Sequence, residues 1–354
     1  MWYKSFLVAV FIVFLVSAGS QPRQTKTFTV GGKTHYCVFY VPSGINKPAV
    51  VFYVHGAGGS GPNFENETKG DSTANREKFI AVYPSAASND GTGTWDDMQG
   101  TTNYPFFLAV IDTLKARYHI DTNRVYMTGF SQGGMISFVA SCSYANVFAA
   151  VAPVSGHSNT TCPLKRPISV FMTFGTSSQE MGLPSSFIAD LNIWLTLDSC
   201  PSTPTITHPY PASNPNSGVT RVTYGPCAQG TYVIMDSISG EGHQWPDASR
   251  LNQSDEVWAF FKQFSLNTAT AITQQKFSLA HEPIAISYSS GIVRLQGAGE
   301  KSVVRVIDTK GREVATAIAT QGQFAFKDKP SGVYMVLVSG TGTAGAFVLR
   351  MVVP

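Results

Sequence analysis

Residues 123–139 have the sequence pattern of a strand, a glycine-flanked serine turn and a helix, in this order. Residues 125–127 (Val-Tyr-Met) form the β-branched and aromatic run that is typical of a buried strand. The turn Gly129–Gly133 comes next, and residues 135–139 then show an apolar helical pattern. Glycines leave no Cβ where the two backbones approach, and such a turn pushes the serine hydroxyl out of the sheet. The pattern predicts that Ser131 is a nucleophile, the alternative being a plain structural turn.

Composition and the first residues favour an exported protein of two domains. The 354 residues are 43% hydrophobic and 13% charged, which is enough for a large core. The net charge is only +3 and the basic residues are scattered, so nucleic acid is not favoured as a partner. Residues 6–16 form an apolar run after Lys4, and small residues follow at 17–20. The run is too short to span a bilayer, so residues 1–20 are interpreted as a signal peptide rather than a membrane anchor, and we expect a secreted or cell-surface protein.

The cysteines favour disulfides over metal binding. None of the five belongs to a Cys-x-x-Cys pair, which argues against zinc and redox motifs. Disulfides are the usual state of cysteine in exported proteins. Our hypothesis pairs Cys142 with Cys162 and Cys200 with Cys227, and leaves Cys37 free.

The pattern of predicted secondary structure changes near residue 264. Before this point short apolar strands alternate with helical patterns, which predicts an α/β class with a mostly parallel central sheet and helices on both faces. Residues 265–279 are interpreted as a linker, and residues 280–354 contain only short strands and turns. We therefore expect a catalytic domain over 21–264 and a small β-sandwich domain over 280–354.

A serine nucleophile needs an imidazole base that is oriented by a carboxylate. In sheets of this kind the chain order is serine, acid, histidine. His243 fits this order, because it lies in the glycine-flanked segment 240–246, after a predicted strand and before the last predicted helix. The other histidines after Ser131 fit less well: His157 precedes the candidate acids, His208 lies in a proline-rich segment, and His281 lies in the β domain.

The oxyanion of an acyl-transfer reaction needs backbone N–H donors. We expect them from Gln132, which follows the nucleophile, and from Ala57, in the glycine-rich turn after the strand Val50–Val54. His55 in the same turn is expected to be structural. No Gly-Lys-Ser/Thr follows this turn, so a phosphate loop is not favoured. This chemistry requires no metal or organic cofactor, and the adjacent Asp96 and Asp97 have no neighbouring histidine that would complete a metal site.

Six segments together resemble the α/β-hydrolase branch that contains secreted feruloyl esterases, acetylxylan esterases and polyhydroxybutyrate depolymerases, known as carbohydrate esterase family 1. They are His55–Gly59, Val82–Pro84, Ile120–Tyr126, Gly129–Gly134, Phe148–Ala152 and Gly242–Pro246. The resemblance covers roughly residues 28 to 264. It implies an α/β-hydrolase fold with Ser131 as nucleophile and His243 as base, and it favours the Cys200–Cys227 pairing.

One departure from that family concerns the acid. The family usually has His-Gly-Thr-x-Asp after the relevant strand, whereas this chain has Phe174-Gly175-Thr176-Ser177-Ser178. The expected aspartate is therefore Ser178, and Glu180, two residues further on, is our candidate acid. Weaker candidates are Asp190, Asp198 and Glu241.

The expected activity is that of a secreted serine carboxylic-ester hydrolase, which removes feruloyl or acetyl groups from plant cell-wall polysaccharide. Trp95 and Trp245 are candidate substrate platforms, with core packing as the alternative for each. A polyester depolymerase and a serine peptidase stay open. So does a non-catalytic carbohydrate-binding surface protein on a decayed hydrolase scaffold.

The β domain carries a second resemblance. Residues 303–314 and 330–336 are similar to the C-terminal sorting domains of type IX-secreted proteins, which implies secretion machinery as a partner. A carbohydrate-binding sandwich is the competing interpretation and would need exposed aromatic side chains. The alternation of the aromatic residues predicts that most of them face inward: Tyr288, Phe324, Phe326, Tyr334 and Phe347.

Overall fold

The protein is described by a computed structural model. It describes residues 22–87, 93–95, 103–157, 166–177, 179–181, 184–266, 285–296, 301–308, 313–340 and 346–353. The predicted signal peptide, Cys162, Ser178 and the predicted linker from residue 267 onward lie outside these ranges.

In the described ranges, ten strands form one large sheet between Arg23 and Ile238, and six α-helices accompany them. The strands are β1 (Arg23–Val30), β2 (Lys33–Tyr40), β3 (Val50–Val54), β4 (Ile80–Pro84), β5 (Val125–Phe130), β6 (Ala150–Val154), β7 (Ser169–Gly175), β8 (Thr205–Thr207), β9 (Val219–Tyr224) and β10 (Val233–Ile238). The helices are α1 (Gly61–Thr68), α2 (Gly70–Glu77), α3 (Tyr104–Tyr118), α4 (Gln132–Ser143), α5 (Pro184–Leu197) and α6 (Gln253–Phe261).

The centre of this sheet is parallel. The spatial order is β1-β2-β4-β3-β5-β6-β7-β10-β9-β8, and the six strands from β4 to β10 in that order pair in parallel. Every residue of β3, β4, β6 and β7 is buried, as expected for strands that are covered on both faces. The outer strands pair antiparallel. The predicted α/β class with a mostly parallel sheet is confirmed.

Side chains that alternate along β3 enter two separate cores. Phe52 packs in a cluster with apolar residues of α3, α4 and α5, whereas Tyr53 packs in a cluster with residues of α1, α2 and α6. This is the period-two alternation of a strand with a helical layer on each side. The carboxyl ends of the parallel strands are therefore fixed between two packed layers.

A buried ion cluster holds β9, β10 and α6 together. Arg221 on β9 donates from Nε and Nη2 to the two carboxylate oxygens of Asp236 on β10, at 2.8 and 2.6 Å. Its Nη1 lies 3.1 Å from the Glu256 carboxylate, which also accepts a hydrogen bond from the hydroxyl of Tyr210. The guanidinium stacks on the rings of Tyr210 and Phe171. The cluster thus ties β10, the strand that leads to His243, to β9 and to α6.

Asp236→Ala is expected to lower the free energy of unfolding by about 3–5 kcal/mol, because it leaves the buried Arg221 without its bidentate partner. Denaturant titration of the purified variant measures this change. Asp112→Ala, at an exposed position on α3, is the matched control and should change stability by less than about 0.5 kcal/mol. Equal changes in the two variants would contradict a structural role for the cluster.

The C-terminal region forms a separate antiparallel sheet. Its strands are β11 (Ala285–Ser289), β12 (Ile292–Gln296), β13 (Lys301–Asp308), β14 (Glu313–Thr320), β15 (Gln323–Ala325), β16 (Gly332–Gly340) and β17 (Ala346–Val353). The order is β11-β12-β15-β14-β13-β16-β17, and the two end strands also contact each other. Phe324, Phe326 and Tyr334 are buried inside this unit, which confirms the expected inward orientation for these three, whereas the side chain of Phe347 lies outside the described set. Burial of these rings does not favour an aromatic carbohydrate platform.

The cysteines follow the hypothesis as far as the structure describes them. Cys200 and Cys227 form a disulfide, and Cys37 is free and buried. Burial raises the pKa of the Cys37 thiol well above its ordinary value, so this cysteine stays protonated and unreactive. Cys142 is also disulfide-bonded, but its expected partner Cys162 lies outside the described residues. Among the helices that the structure describes, none is long and apolar enough to cross a membrane.

Candidate active site

Five loops meet at one edge of the sheet. Ala57, Ser131, Ser155, Glu180 and His243 each come shortly after the carboxyl end of a strand in the parallel run β3-β5-β6-β7-β10. Loops at the carboxyl ends of adjacent parallel strands converge, and ligands of open α/β sheets bind there. The topology therefore assembles residues that are up to 186 positions apart in the chain, from Ala57 to His243.

Ser131 sits on a strained turn between β5 and α4. Its backbone angles are φ 54° and ψ −117°, a conformation that residues with a side chain rarely adopt. A Cβ on Gly129 would lie 2.5 Å from the Gly133 carbonyl oxygen, and a Cβ on Gly133 would overlap the carbonyl of Val54. Only glycine fits at both positions, so the strand and the helix can close around Ser131 and leave its side chain half-buried at the edge.

The side chains of Ser131, His243 and Glu180 form a continuous hydrogen-bonded chain. His243 Nε2 lies 2.9 Å from Ser131 Oγ, and His243 Nδ1 lies 2.6 Å from Glu180 Oε1. Because a carboxylate only accepts hydrogen bonds, Nδ1 carries the proton and Nε2 is free to accept one from the serine hydroxyl. This is the arrangement in which an imidazole acts as a general base on a serine.

Three groups besides His243 donate hydrogen bonds to Glu180. Its Oε2 accepts hydrogen bonds from Ser155 Oγ at 2.8 Å and from the Gly175 N–H at 3.2 Å, and its Oε1 accepts one from the Met181 N–H at 3.0 Å. Burial pushes the pKa of this carboxyl upward, but the hydrogen bonds from His243 and Ser155, the charge of His243 and the Gly175 N–H outweigh it. The net pKa of Glu180 lies below its ordinary value, so the side chain is ionised at neutral pH.

The other candidate acids are engaged elsewhere. The Asp198 side chain accepts a hydrogen bond from the Ile168 N–H, and burial raises its pKa to about 7. Glu241 pairs with Arg250 at 3.1 Å and accepts from the Asp247 N–H. Asp190 is buried on α5. Within the described part of the chain, Glu180 is the carboxylate that contacts His243.

The predicted oxyanion donors lie beside Ser131. A Cβ on Gly56, next to Ala57, would lie 3.2 Å from Ser131 Cβ, so this turn lies against the serine. Gln132 begins α4, where the first N–H groups have no partner within the helix. No acceptor among the described residues pairs with the N–H of Ala57 or of Gln132. Both donors are therefore available at the edge where Ser131 lies.

His55 braces the turn that carries Ala57. Its Nδ1–H donates to the Gly56 carbonyl at 2.7 Å, and its Nε2 accepts from the Ala86 N–H at 3.1 Å. The His55 carbonyl in turn accepts a hydrogen bond from the indole N–H of Trp95 at 2.9 Å. Burial lowers the pKa of His55 to about 4, so the ring is neutral at physiological pH. These contacts agree with the structural role expected for this histidine.

Trp95 and Trp245 lie in the interior, which agrees with core packing, the alternative for each, and disagrees with a role as exposed substrate platforms. Trp95 is only 2% exposed, and its backbone N–H and carbonyl bind the amide side chain of Gln132 reciprocally at 3.0 Å. Trp245 is 7% exposed and packs against Tyr53 and Phe64. Trp95 thus contacts the residues that carry the site through Gln132 and His55, and Trp245 fixes the segment that follows His243 to the core.

The buried neutral His55 predicts a specific loss of stability in acid. Its pKa of about 4 lies below its ordinary 6.5, so the unfolded chain takes up the proton first as the pH falls. The free energy of unfolding should therefore fall between about pH 6.5 and 4, by on the order of 3 kcal/mol from this group. Denaturant unfolding across this range measures the slope.

His55→Gln is the control for that experiment. A glutamine carbonyl can accept the Ala86 N–H but does not titrate. The difference in stability between wild type and variant should shrink as the pH falls, since all other titrating groups are common to both proteins. A difference that does not change with pH would contradict the assignment to His55.

Ser155 and the backbone donors to Glu180 were missed by the sequence analysis. The available signal was the Ser155-Gly156 pair directly after the buried strand β6, at the edge where Ser131 was expected. His157 follows them and packs on Phe187. Among the described residues there is no group of three or more His, Cys, Asp or Glu side chains that could hold a metal ion.

Comparisons with known proteins find esterases and a depolymerase among the relatives of this chain. Residues 35–180 match the family described as Esterase PHB depolymerase. The chain is 33% identical over 233 residues to a bifunctional acetylxylan esterase/xylanase of Neocallimastix patriciarum. The aligned residues make up 64% of this chain and 33% of that protein. It is 31% identical over 144 residues to feruloyl esterase B of Neurospora crassa, covering 39% of this chain and 46% of that protein. It is also 31% identical over 164 residues to poly(3-hydroxyalkanoate) depolymerase C of Paucimonas lemoignei, covering 43% and 39%. The chain thus spans between a third and a half of the length of these relatives.

A solved structure shows the same fold. The acetyl xylan esterase from Aspergillus awamori superposes with a TM-score of 0.53 at 18% identity, over 68% of this chain and 99% of that chain. The ten-stranded sheet, its helical layers and this likeness establish that the N-terminal part of the chain has an α/β-hydrolase fold.

Proposed function

We propose that this chain is a serine carboxylic-ester hydrolase whose nucleophile is Ser131. The observation that carries the proposal is the chain of hydrogen bonds from Ser131 through His243 to Glu180, at 2.9 and 2.6 Å. The match to the esterase family and the esterases among the relatives support the same reaction class.

The first half of the reaction forms an acyl-enzyme. Ser131 Oγ attacks the ester carbonyl carbon while its proton passes to His243 Nε2. The carbonyl oxygen becomes negative and accepts hydrogen bonds from the N–H groups of Gln132 and Ala57. When the tetrahedral intermediate collapses, the C–O bond to the alcohol breaks, and the His243 Nε2–H protonates the departing alkoxide.

The second half releases the acid. A water molecule gives a proton to His243 Nε2 and its oxygen attacks the acyl carbon. The new oxyanion uses the same two N–H donors, and collapse returns the proton from His243 to Ser131 Oγ as the carboxylic acid leaves. Throughout, the ionised Glu180 keeps the proton on Nδ1 and stabilises the imidazolium.

For the substrate, we propose acyl groups on plant cell-wall polysaccharide, feruloyl or acetyl. The acetylxylan esterase and the feruloyl esterase among the relatives support this class. A polyester depolymerase is the second candidate, favoured by the family match over residues 35–180 and by the poly(3-hydroxyalkanoate) depolymerase relative.

We also propose that the protein acts outside the cytoplasm, which the disulfide Cys200–Cys227 supports. Residues 280–354 are proposed to form a separate sorting or anchoring domain.

A side-by-side assay tests the substrate class. Methyl ferulate, acetylated xylan and a short hydroxybutyrate oligomer are incubated with wild type and with Ser131→Ala at equal concentrations. We expect Ser131-dependent release of ferulate or acetate to exceed release of hydroxybutyrate. Faster cleavage of the oligomer would move the assignment to polyester, and release that is equal in the two proteins would contradict an esterase at Ser131.

A further inference from the structure

We infer that Ser155 is a positioning residue for Glu180. The hydrogen-bonded chain that activates the nucleophile then contains four side chains rather than three. The inference rests on the proposed esterase function. Ser155 Oγ donates to Glu180 Oε2 at 2.8 Å, and the opposite carboxylate oxygen receives the His243 Nδ1–H at 2.6 Å. The two oxygens of one carboxylate are thus assigned to two different side chains.

Both partners of the hydrogen bond between Ser155 and Glu180 are buried, which strengthens it. Ser155 is only 4% exposed, and the side chain of Glu180 is 1% exposed, so water does not compete for either group. An ionised carboxylate in such surroundings gains more from a hydroxyl donor than it would at the surface. Removal of the hydroxyl leaves Oε2 with the longer bond from the Gly175 N–H at 3.2 Å.

The backbone of Ser155, like that of the nucleophile, has a positive φ. Its φ is +45°, a left-handed value that favours glycine. Among the described non-glycine residues with positive φ, Ser131 and Ser155 are the two that directly follow a parallel strand. Such a conformation persists where the surrounding structure holds it in place, and it is concentrated at functional sites. Glycine would relieve the strain at this position, so the hydroxyl is the feature that a serine adds.

Neighbouring contacts fix where the Ser155 hydroxyl points. The Ser155 N–H donates to the Thr173 carbonyl of β7 at 2.8 Å, and a Cβ on Gly156 would lie 2.5 Å from the carbonyl oxygen of Ser131. The segment therefore fits tightly between β7 and the nucleophile turn. From this place its hydroxyl reaches the carboxylate of Glu180, whose chain is one methylene longer than that of an aspartate and has more rotamers to restrict.

Ser155→Gly and Ser155→Ala separate positioning from folding. Both remove the hydroxyl, but glycine relieves the left-handed backbone and alanine does not, so alanine should give the lower Tm. We expect both to lower kcat for p-nitrophenyl acetate by about 10- to 100-fold, with KM within about twofold of wild type. Ser169→Ala is the matched control, because this buried hydroxyl accepts the Tyr232 N–H at the opposite end of β7, and it should retain wild-type kcat.

A double variant tests whether Ser155 acts through Glu180. In Glu180→Ala there is no carboxylate to position, so the addition of Ser155→Gly should change kcat by less than about twofold. A further loss as large as that in the wild-type background would overturn the inference, as would a wild-type kcat in both single variants. Neither outcome affects the proposed function, which fails instead if Ser131→Ala keeps the activity of wild type.

Discussion

Ser131→Ala is expected to lower kcat/KM for p-nitrophenyl acetate by at least about 10⁴-fold. The reason is that, in the part of the chain that the structure describes, Ser131 is the nucleophile in contact with His243: the imidazole Nε2 faces Ser131 Oγ at 2.9 Å, and Nδ1 is occupied by Glu180. Residual turnover above water should come from the N–H groups of Gln132 and Ala57, which the substitution leaves in place. Initial rates of p-nitrophenol release measure the effect.

Ser141→Ala is the matched control for that loss. Ser141 lies on the same helix α4, is fully buried and donates its hydroxyl proton to the Phe138 carbonyl, away from the sheet edge. This variant should keep kcat/KM within about threefold of wild type. If Ser131→Ala behaves like Ser141→Ala, the hydrogen-bonded chain at the sheet edge is not a catalytic unit.

Glu180→Gln is expected to lower kcat by more than tenfold, and by up to about 10⁴-fold, with little change in KM. A glutamine amide can present its N–H₂ to His243, which favours the tautomer with the proton on Nε2, where it blocks the approach of the Ser131 proton. Substrate binding does not involve this buried side chain, so the effect belongs to kcat. Steady-state kinetics of the purified variant give both constants.

Two companion variants make the test of the acid specific. Glu180→Asp shortens the side chain by one methylene and should also slow kcat, because the carboxylate loses its reach to His243 Nδ1. Asp198→Asn is the control, since burial raises the pKa of Asp198 to about 7 and its carboxyl is bound to the Ile168 N–H rather than to the histidine. Equal activity of Glu180→Gln and Asp198→Asn would remove Glu180 from the reactive unit.

The sequence predicted the part of the fold that apolar periodicity specifies. The strand over 50–54, the strand that leads into the Ser131 turn and the helix that follows this turn have clear apolar patterns, and the structure has all three within a few residues. The hairpin of β1 and β2 was missed, because only one residue of β1 is buried and the strand shows no apolar alternation. Helices α1 and α2 were missed because each has only eight residues, mostly polar ones, and they are separated by the left-handed Lys69.

For the candidate site, chain order and local motifs were enough to bring Ser131 and His243 into consideration, because each lies in a turn directly after a buried strand. Two features depended on tertiary structure instead. The exposure of Trp95 and Trp245 is decided by neighbours that are distant in the chain, and the structure buries both. The contact of Ser155 with Glu180 crosses from β6 to the loop after β7, so no spacing in the sequence could reveal it.

Covalent labelling tests the central claim, that Ser131 is a nucleophile activated by His243, most directly. The wild-type protein is treated with an organophosphonate fluoride, which a serine oxygen attacks at phosphorus with loss of fluoride. Mass mapping should find one phosphonyl group on the peptide that contains Ser131, and the rate of labelling should fall strongly in His243→Ala. Labelling of a different residue, or labelling of Ser131 at an unchanged rate without His243, would contradict the account.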